Sequence, residues 1–394
     1  MPARSKRLDR IPPYLFAEIS RVKAELIAKG EDIIDLGIGD PDQPTPAPIV
    51  EALKRAAEDP ATHSYDESAR GWPRFLSASA RWYKREFGVE LNHETEMMEV
   101  IGSKEALAHI VWAFADPGDV VIVPDPAYPV YKTHAAMCGA EVYTSPLLES
   151  NSYLPDLGAI PAGIAKRAKL FFVCYPHNPT GALATEEFYR DAIAFCREND
   201  TLLIADMAYI RVTYDGYRSP TVLQQEGAKD VVVEFHSLSK TFNMTGWRIG
   251  FVAGNPDAVA ALAKLKDNID TKQFPAVAEA AAFALENVSN EETLALYQRR
   301  RDILVDGLNS LGWKVKRPKA TFYVWAPVPS GCTSADFAKL ILQKAGVLCT
   351  PGSGFGEAGE GYIRMSLTVR GDKDGERLAE AVRRIKECGI RFTC

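Results

Sequence analysis

The sequence contains no paired cysteines, no metal-ligand spacing, no long apolar run and no excess of one charge. Its seven cysteines (Cys138, Cys174, Cys196, Cys332, Cys349, Cys388 and Cys394) are scattered, odd in number and never form CxxC. That excludes a disulfide framework and a zinc knuckle, and leaves reduced, mostly buried thiols as the expectation. The six histidines show no HExxH or related spacing, so no metal site is expected. No apolar run approaches the roughly 20 residues a bilayer requires, and the opening MPARSKRLDR is followed by IPPYLFAEI instead of a signal-type apolar core. No membrane partner and a cytoplasmic location are the corresponding expectations. Lys and Arg number 46 against 52 Asp and Glu, a net charge of −6, and the two signs are mixed along the chain. Without a basic stripe to follow a phosphate backbone, nucleic acid is not an expected partner.

At 394 residues the chain exceeds the roughly 250–300 at which a single core stops growing, so one large and one smaller domain are expected. Its middle alternates short β-branched runs with longer helical stretches. The runs are Glu99–Gly102, Asp119–Val123, Glu141–Thr144, Lys169–Cys174, Thr201–Ala205, Val231–His236 and Arg248–Ala253. Such alternation predicts an α/β fold with a mostly parallel seven-stranded sheet between helices. VVIV, LFFVC and LLIA are apolar on both faces, as strands buried between two helical layers must be. From about Glu286 the pattern changes to a long charged helix, then KVKRPKATFYVWAPV, a helix near Asp336–Ala345, GYIRMSLTV and a final helix near Lys373–Cys388, an α+β unit. The first 45 residues hold a helix over Tyr14–Lys29 and the Pro-rich turn DPDQPTPAP, too little to fold alone. The expected division is therefore 1–45 as an arm and part of a small domain, 46–285 as the large domain, and 286–394 as the rest of the small one.

The most informative stretch is Ser237-Leu238-Ser239-Lys240, which follows an apolar strand and is itself followed eight residues later by Arg248. A lysine amine forms Schiff bases with aldehydes and is activated by desolvation or cationic neighbours. Arginine meets phosphate bidentately, and serine hydroxyls supply further hydrogen bonds, so the stretch suits a covalent aldehyde cofactor carrying a phosphate. Ser-x-Ser-Lys alone would read as a surface lysine in a Ser-rich loop. Gly102-Ser103-Lys104 lies between a strand and a helix, where backbone amides favour an anion, although Gly-Ser also begins ordinary helices. Neither segment matches GxxxxGK[ST], which argues against nucleotide binding by that route. Asp206 follows LLIA and Asn178 follows FVCYPH, at strand ends where parallel sheets gather ligands. Taken singly, the first is also an ordinary helix cap and Asn178-Pro179-Thr180-Gly181 an ordinary turn.

In this order, Asn178, Asp206-x-x-Tyr209, Ser237-x-Ser239-Lys240, Arg248 and Arg364 closely resemble the pattern of the fold-type I, class I/II aminotransferases that depend on pyridoxal 5′-phosphate (PLP). The resemblance runs from about Tyr14 to Ile385. It implies that Lys240 holds the cofactor as a Schiff base and moves the substrate proton. Asp206 would pair with the pyridine nitrogen. Tyr209 and Asn178 would bond the ring's phenolic oxygen, Ser103, Lys104, Ser237, Ser239 and Arg248 would surround the phosphate, and Tyr128 would stack on the ring. Tyr65 resembles the tyrosine that these enzymes extend to the neighbouring subunit's phosphate, implying a homodimer with shared sites. Arg364 matches the arginine that grips the substrate α-carboxylate, and Gly39 would add a backbone amide there. The Asn178-Pro179 bond is expected cis.

Within the family, YLFAEI and LGIGDPD look like the LL-diaminopimelate aminotransferases, in which the tyrosine matching Tyr14 lies at the substrate. The substrates implied are an amino acid and a 2-oxo acid, with 2-oxoglutarate as acceptor. One departure stands out. Those enzymes usually carry a glutamate just before a glycine after the Tyr65-type tyrosine, and it binds the distal ammonium from the partner subunit. This sequence has Tyr65-Asp66-Glu67-Ser68-Ala69-Arg70-Gly71, with Arg70 in that place. Arginine attracts a distal carboxylate, which points to glutamate, aspartate or another donor unless Glu67 substitutes. The same scaffold also supports PLP lyases and synthases. A non-enzymatic regulator would require a DNA-binding module, and no basic recognition helix is present.

Overall fold

A computed structural model describes residues 1–11, 15–65, 70–390 and 392, with the side chains of 15–20 left aside. A two-residue strand, β1 (Ile34–Asp35), precedes the large sheet. That sheet comprises β2 (Met97–Val100), β3 (Val120–Asp125), β4 (Glu141–Pro146), β5 (Ala168–Cys174), β6 (Leu202–Asp206), β7 (Val232–Ser237) and β8 (Gly250–Gly254). Their order across the sheet is β2-β8-β7-β6-β5-β3-β4, and β8 alone runs antiparallel to its neighbours. All seven runs expected from the sequence are strands, displaced by at most two residues at their ends. β2 stops at Val100 because Gly102 takes a left-handed φ of 74° and the Glu105 side chain accepts from the Ile101 amide. β8 starts late because Arg248 is itself left-handed, at φ 56°.

Period-2 alternation divides the strand residues between two apolar cores. Val120, Ile122, Phe171, Val173, Leu203, Ala205 and Phe251 pack into one. Val121, Val123, Leu170, Phe172, Ile204, Val233 and Val252 pack into the other. Each side chain of this size, once fully buried, contributes roughly 1.5–3 kcal/mol, so a one-residue slip would invert the whole pattern. The helices on both faces carry ordinary end signals: Glu186–Asn199 starts where the Thr185 side chain accepts from the Phe188 amide, and Pro73–Phe87 ends on Gly88 at φ 74°.

A third core gathers Ile34 and Leu36 from near the start of the chain with residues 297–392 and a few from 208–214. It surrounds β9 (Tyr323–Pro327), β11 (Thr350–Pro351) and β12 (Tyr362–Ser366), an antiparallel sheet in the order β11-β12-β9, while β1 pairs in parallel with β10 (Val347–Leu348). The helices Glu291–Ser310, Ser334–Ala345 and Glu376–Glu387 cover it. A fully buried ion cluster ties the two chain ends together: the Arg300 guanidinium donates to Asp42 at 2.9 Å twice and lies 2.8 Å from Asp372. Asp32, held by Arg377 and Arg384, adds a solvent-facing tie. Cys174, Cys196 and Cys349 are buried, Cys138 and Cys388 are partly buried, and Cys332 is exposed. No helix among the described residues is long and apolar enough to cross a membrane.

Candidate active site

Three adjacent strands end at one level and deliver three chemical groups. Cys174 of β5 pairs with Asp206 of β6, and Asp206 with Phe235 of β7, so the strand ends leading to Asn178, Asp206 and Lys240 lie side by side. On the other side of β7, Gly250 pairs with both Ser237 and Val100, which brings the turn Ile101–Lys104 to the same edge. These elements and the third core enclose a cavity of about 640 Å³, within the range of small-molecule sites. Gly39, Ser103, Lys104, Tyr128, Asn178, Asp206, Tyr209, Ser237, Ser239, Lys240, Arg248 and Arg364, named from the sequence, all line it.

One end is cationic. The helix Ser103–Phe114 opens here on Gly102, and a Cβ on that glycine would lie 2.3 Å from Arg248 Nη2. Only glycine lets the arginine approach so closely. Arg248 Nη1 lies 3.5 Å from Ser239 Oγ and donates to the Thr245 carbonyl at 2.9 Å. At the strand ends, Asp206 is buried and accepts from the Tyr131 hydroxyl at 2.7 Å and the Ala208 amide at 3.3 Å. Burial raises its pKa, while the Tyr131 hydrogen bond opposes the rise. Lys240 is pulled the other way. Desolvation brings its amine down to about 8, against the attraction of Asp40, whose carboxylate lies 3.9 Å from Nζ. A lysine at that value is neutral far more often near neutral pH than an ordinary lysine is, which makes it the better nucleophile.

The opposite end is built around Arg364. Its guanidinium donates to Asn178 Oδ1 at 2.9 Å and to the Gly37 carbonyl at 2.8 Å, and stands over the rings of Tyr323 and Phe355 at 4.2 and 4.6 Å. Tyr323 also meets Tyr209, hydroxyl to hydroxyl at 2.9 Å, and its hydroxyl lies 3.4 Å from the Gly39 carbonyl. A Cβ at Gly39 would fall 2.2 Å from the Tyr323 ring, so that residue must be glycine for the two segments to meet. Asp40 and Arg370, 3.7 Å apart, complete this wall.

One expected site residue, Tyr65, is not in the cavity. Tyr65 is 91% exposed and sits beside Thr62, His63, Phe274 and Pro275. Tyr14 and Glu67 lie outside the described residues. Arg70 is half-buried, with its carbonyl accepting from the Glu99 amide and its Nη1 buried without a hydrogen-bond partner among the described residues. The Asn178-Pro179 bond is cis as expected, and so are Asp125-Pro126 and Tyr175-Pro176. Tyr131 and Tyr323 escaped the sequence reading. Tyr131 closes the same DPAYPVY motif as Tyr128, a signal that was present; nothing local marks Tyr323.

The family profile described as aminotransferase class I and II matches residues 31–385. Among similar proteins, the LL-diaminopimelate aminotransferase 2 of a Nostoc species is 49% identical over 391 residues, covering 98% of this chain and 99% of its own. The LL-diaminopimelate aminotransferase of Syntrophobacter fumaroxidans is 52% identical over 386 residues, 98% of each chain. Among solved structures, substrate-bound BacF from Bacillus subtilis superposes with a TM-score of 0.95 at 38% identity, covering 100% of both chains. A mutant aspartate aminotransferase of Thermus thermophilus gives 0.89 at 29% identity, covering 98% of this chain and 100% of that one.

Proposed function

The chain belongs to the class I and II aminotransferases and is a PLP-dependent enzyme of that kind, and within the family we propose that it transfers the amino group of LL-diaminopimelate to 2-oxoglutarate in lysine biosynthesis. The observation that carries this substrate is the identity of about half over 98% of the chain to relatives with that activity in their names.

The residues suit the cofactor. The Gly102–Lys104 turn with Arg248 offers a cationic cradle that a Cβ would fill, and Asp206 is a buried carboxylate whose raised pKa calls for a proton-bearing partner such as a pyridinium nitrogen. When bound, PLP supplies an aldehyde carbon that exchanges the amino group and a ring that accepts electron density. Around it, Ser103, Lys104, Ser237, Ser239 and Arg248 hold the phosphate, Tyr128 covers the ring, and Asp206, oriented by Tyr131, retains the ring-nitrogen proton. Asn178 spends its carbonyl oxygen on Arg364, which leaves its NH2 group, with the Tyr209 hydroxyl, to donate to the phenolic oxygen. Arg364 and the Gly39 amide grip the α-carboxylate and fix the substrate carbon beside Lys240. Lys240, depressed to about 8, takes the proton from that carbon as a neutral amine and returns it as an ammonium.

In this reading 46–285 form the cofactor domain, and 1–45 join 286–394 in the small one. The working unit is a cytoplasmic homodimer. Tyr65, exposed and away from the cavity of its own chain, supports a role in the neighbouring site. Arg70 favours a second reading, in which the donor carries a distal carboxylate, as glutamate and aspartate do. A spectral titration of the holoenzyme with LL-diaminopimelate, glutamate, aspartate, alanine and an aromatic amino acid separates the two. The proposal expects LL-diaminopimelate to bleach the visible cofactor band and release a 2-oxo acid. A band left unchanged by LL-diaminopimelate but bleached by another donor overturns it.

A further inference from the structure

Lys266 ends the helix Pro256–Lys266, and only 3% of its side chain is exposed. Its ammonium donates to Glu105 Oε1 and to Asp270 Oδ1, each at 2.8 Å. His109 Nδ1 lies 2.9 Å from the same Glu105 oxygen. Glu105, His109 and Asp270 bring ligand atoms within 4.8 Å of one another, a spacing that suits a cation, and Lys266 already supplies one. A lysine so deeply buried is retained only where paired carboxylates offset its lost hydration. None of the roles assigned above uses this group.

Glu105 connects it to the active site. The carboxylate follows directly on Ser103 and Lys104 in the first turn of the helix, and its other oxygen, Oε2, accepts from the Ile101 amide at 3.0 Å. That bond folds the chain back before Gly102, fixing the turn whose Ser103 and Lys104 line the cavity together with Arg248. The same carboxylate carries a negative charge within two residues of the place assigned to a phosphate. A neutral partner would preserve the turn but leave that charge opposing the phosphate. Lys266 does both tasks at once.

We infer that Lys266 is a positioning residue for cofactor phosphate: through Glu105 it holds the Ile101–Lys104 turn in its anion-binding shape and cancels the carboxylate charge that would repel the anion. The inference rests on the reading of this turn as the phosphate end and is independent of the amino donor. The test measures the PLP dissociation constant of apoprotein by absorbance titration, and inhibition of PLP uptake by inorganic phosphate. Lys266→Met should weaken both by about tenfold or more, and Lys266→Arg by less than about threefold. Adding Glu105→Gln to Lys266→Met should restore most of the affinity, since the glutamine oxygen can still accept from Ile101 while the stranded charge is gone. A merely structural lysine predicts the reverse, a double variant no tighter than the single. Lys266→Met binding within about twofold of wild type overturns the inference, as does failure of the double variant to recover. Ser103→Ala separates the two levels: if it loses PLP affinity while Lys266→Met does not, the phosphate reading stands and the inference falls; if neither loses affinity, both fall. Should Lys266→Met not fold, Glu105→Gln alone decides, with retained or tighter PLP binding expected and a loss of about tenfold contrary to the proposal.

Discussion

At the end of the cavity where Asn178, Asp206 and Lys240 meet, neighbouring strands of one sheet each deliver a single residue, and the sheet's register sets their spacing. At the other end, Arg364 reaches Asn178 and Gly37 across 186 and 327 positions of sequence, and Tyr323 reaches Tyr209 across 114. The first end inherits its geometry from backbone hydrogen bonds that exist whatever the side chains do. The second depends on side chains holding distant segments together. Substitutions at the two ends should therefore fail differently: chemistry without unfolding at the first, and stability together with substrate affinity at the second.

The sharpest test of the first half is Lys240→Ala. If Lys240 is both covalent anchor and proton carrier, as proposed, its loss should lower turnover by roughly 10⁴-fold or more, with the thermal unfolding midpoint little changed, because the surrounding strands keep their ladders. Single-turnover kinetics and calorimetry check this together, and retained turnover would sink the mechanism. At the second end, Arg300→Ala strands Asp42 and Asp372 in a dry interior. It should cost about 3–5 kcal/mol in denaturant unfolding and raise KM for the amino donor, because Asp42 belongs to the segment that carries Gly39. A loss under about 1 kcal/mol would mean the cluster is not what joins the chain ends. The smallest effect concerns pH. Since the folded protein depresses Lys240 to about 8 from an ordinary value near 10.4, its amine is mostly neutral above pH 8 and increasingly protonated below it. The rate at which apoprotein takes up PLP should rise with pH, pass half its maximum near 8 and then level off. A rate still climbing steeply towards pH 10 would show that burial does not tune this lysine.

The same contrast explains what could be read in advance. Ser103, Asp206 and Lys240 were legible because each follows an apolar run, and in a parallel sheet the end of such a run is also the edge where ligands gather. The seven strands were legible for the same local reason, with errors of at most two residues at their ends, two of which lie where Gly102 and Arg248 adopt positive φ. Tyr323 and the Arg300 cluster were not, since no spacing records which distant group a tyrosine or arginine will meet; Tyr131 carried a local signal in its motif, but not its bond to Asp206. Arg300 sits in a run of three arginines on a charged helix, where Arg299 is exposed and Arg300 and Arg301 are buried; only the packed structure distinguishes them. The carboxylate-gripping role proposed for Arg364 rests on the family resemblance, because a strand arginine by itself says little.

The β1–β10 pairing, Ile34 against Val347, also orders events in time. As the chain leaves the ribosome, every strand of the large sheet is available once Gly254 has emerged, and domains generally fold as they appear. The segment carrying Gly37 and Gly39 emerges long before, yet its partners Arg300, Val347 and Arg364 come in the last quarter of synthesis. For most of translation it waits unpaired beside a nearly finished sheet. The Arg364 end of the cavity is thus the last part of the molecule to be assembled, and a nascent chain halted before Arg364 would hold Lys240 without the wall that, in the proposed mechanism, presents a substrate to it.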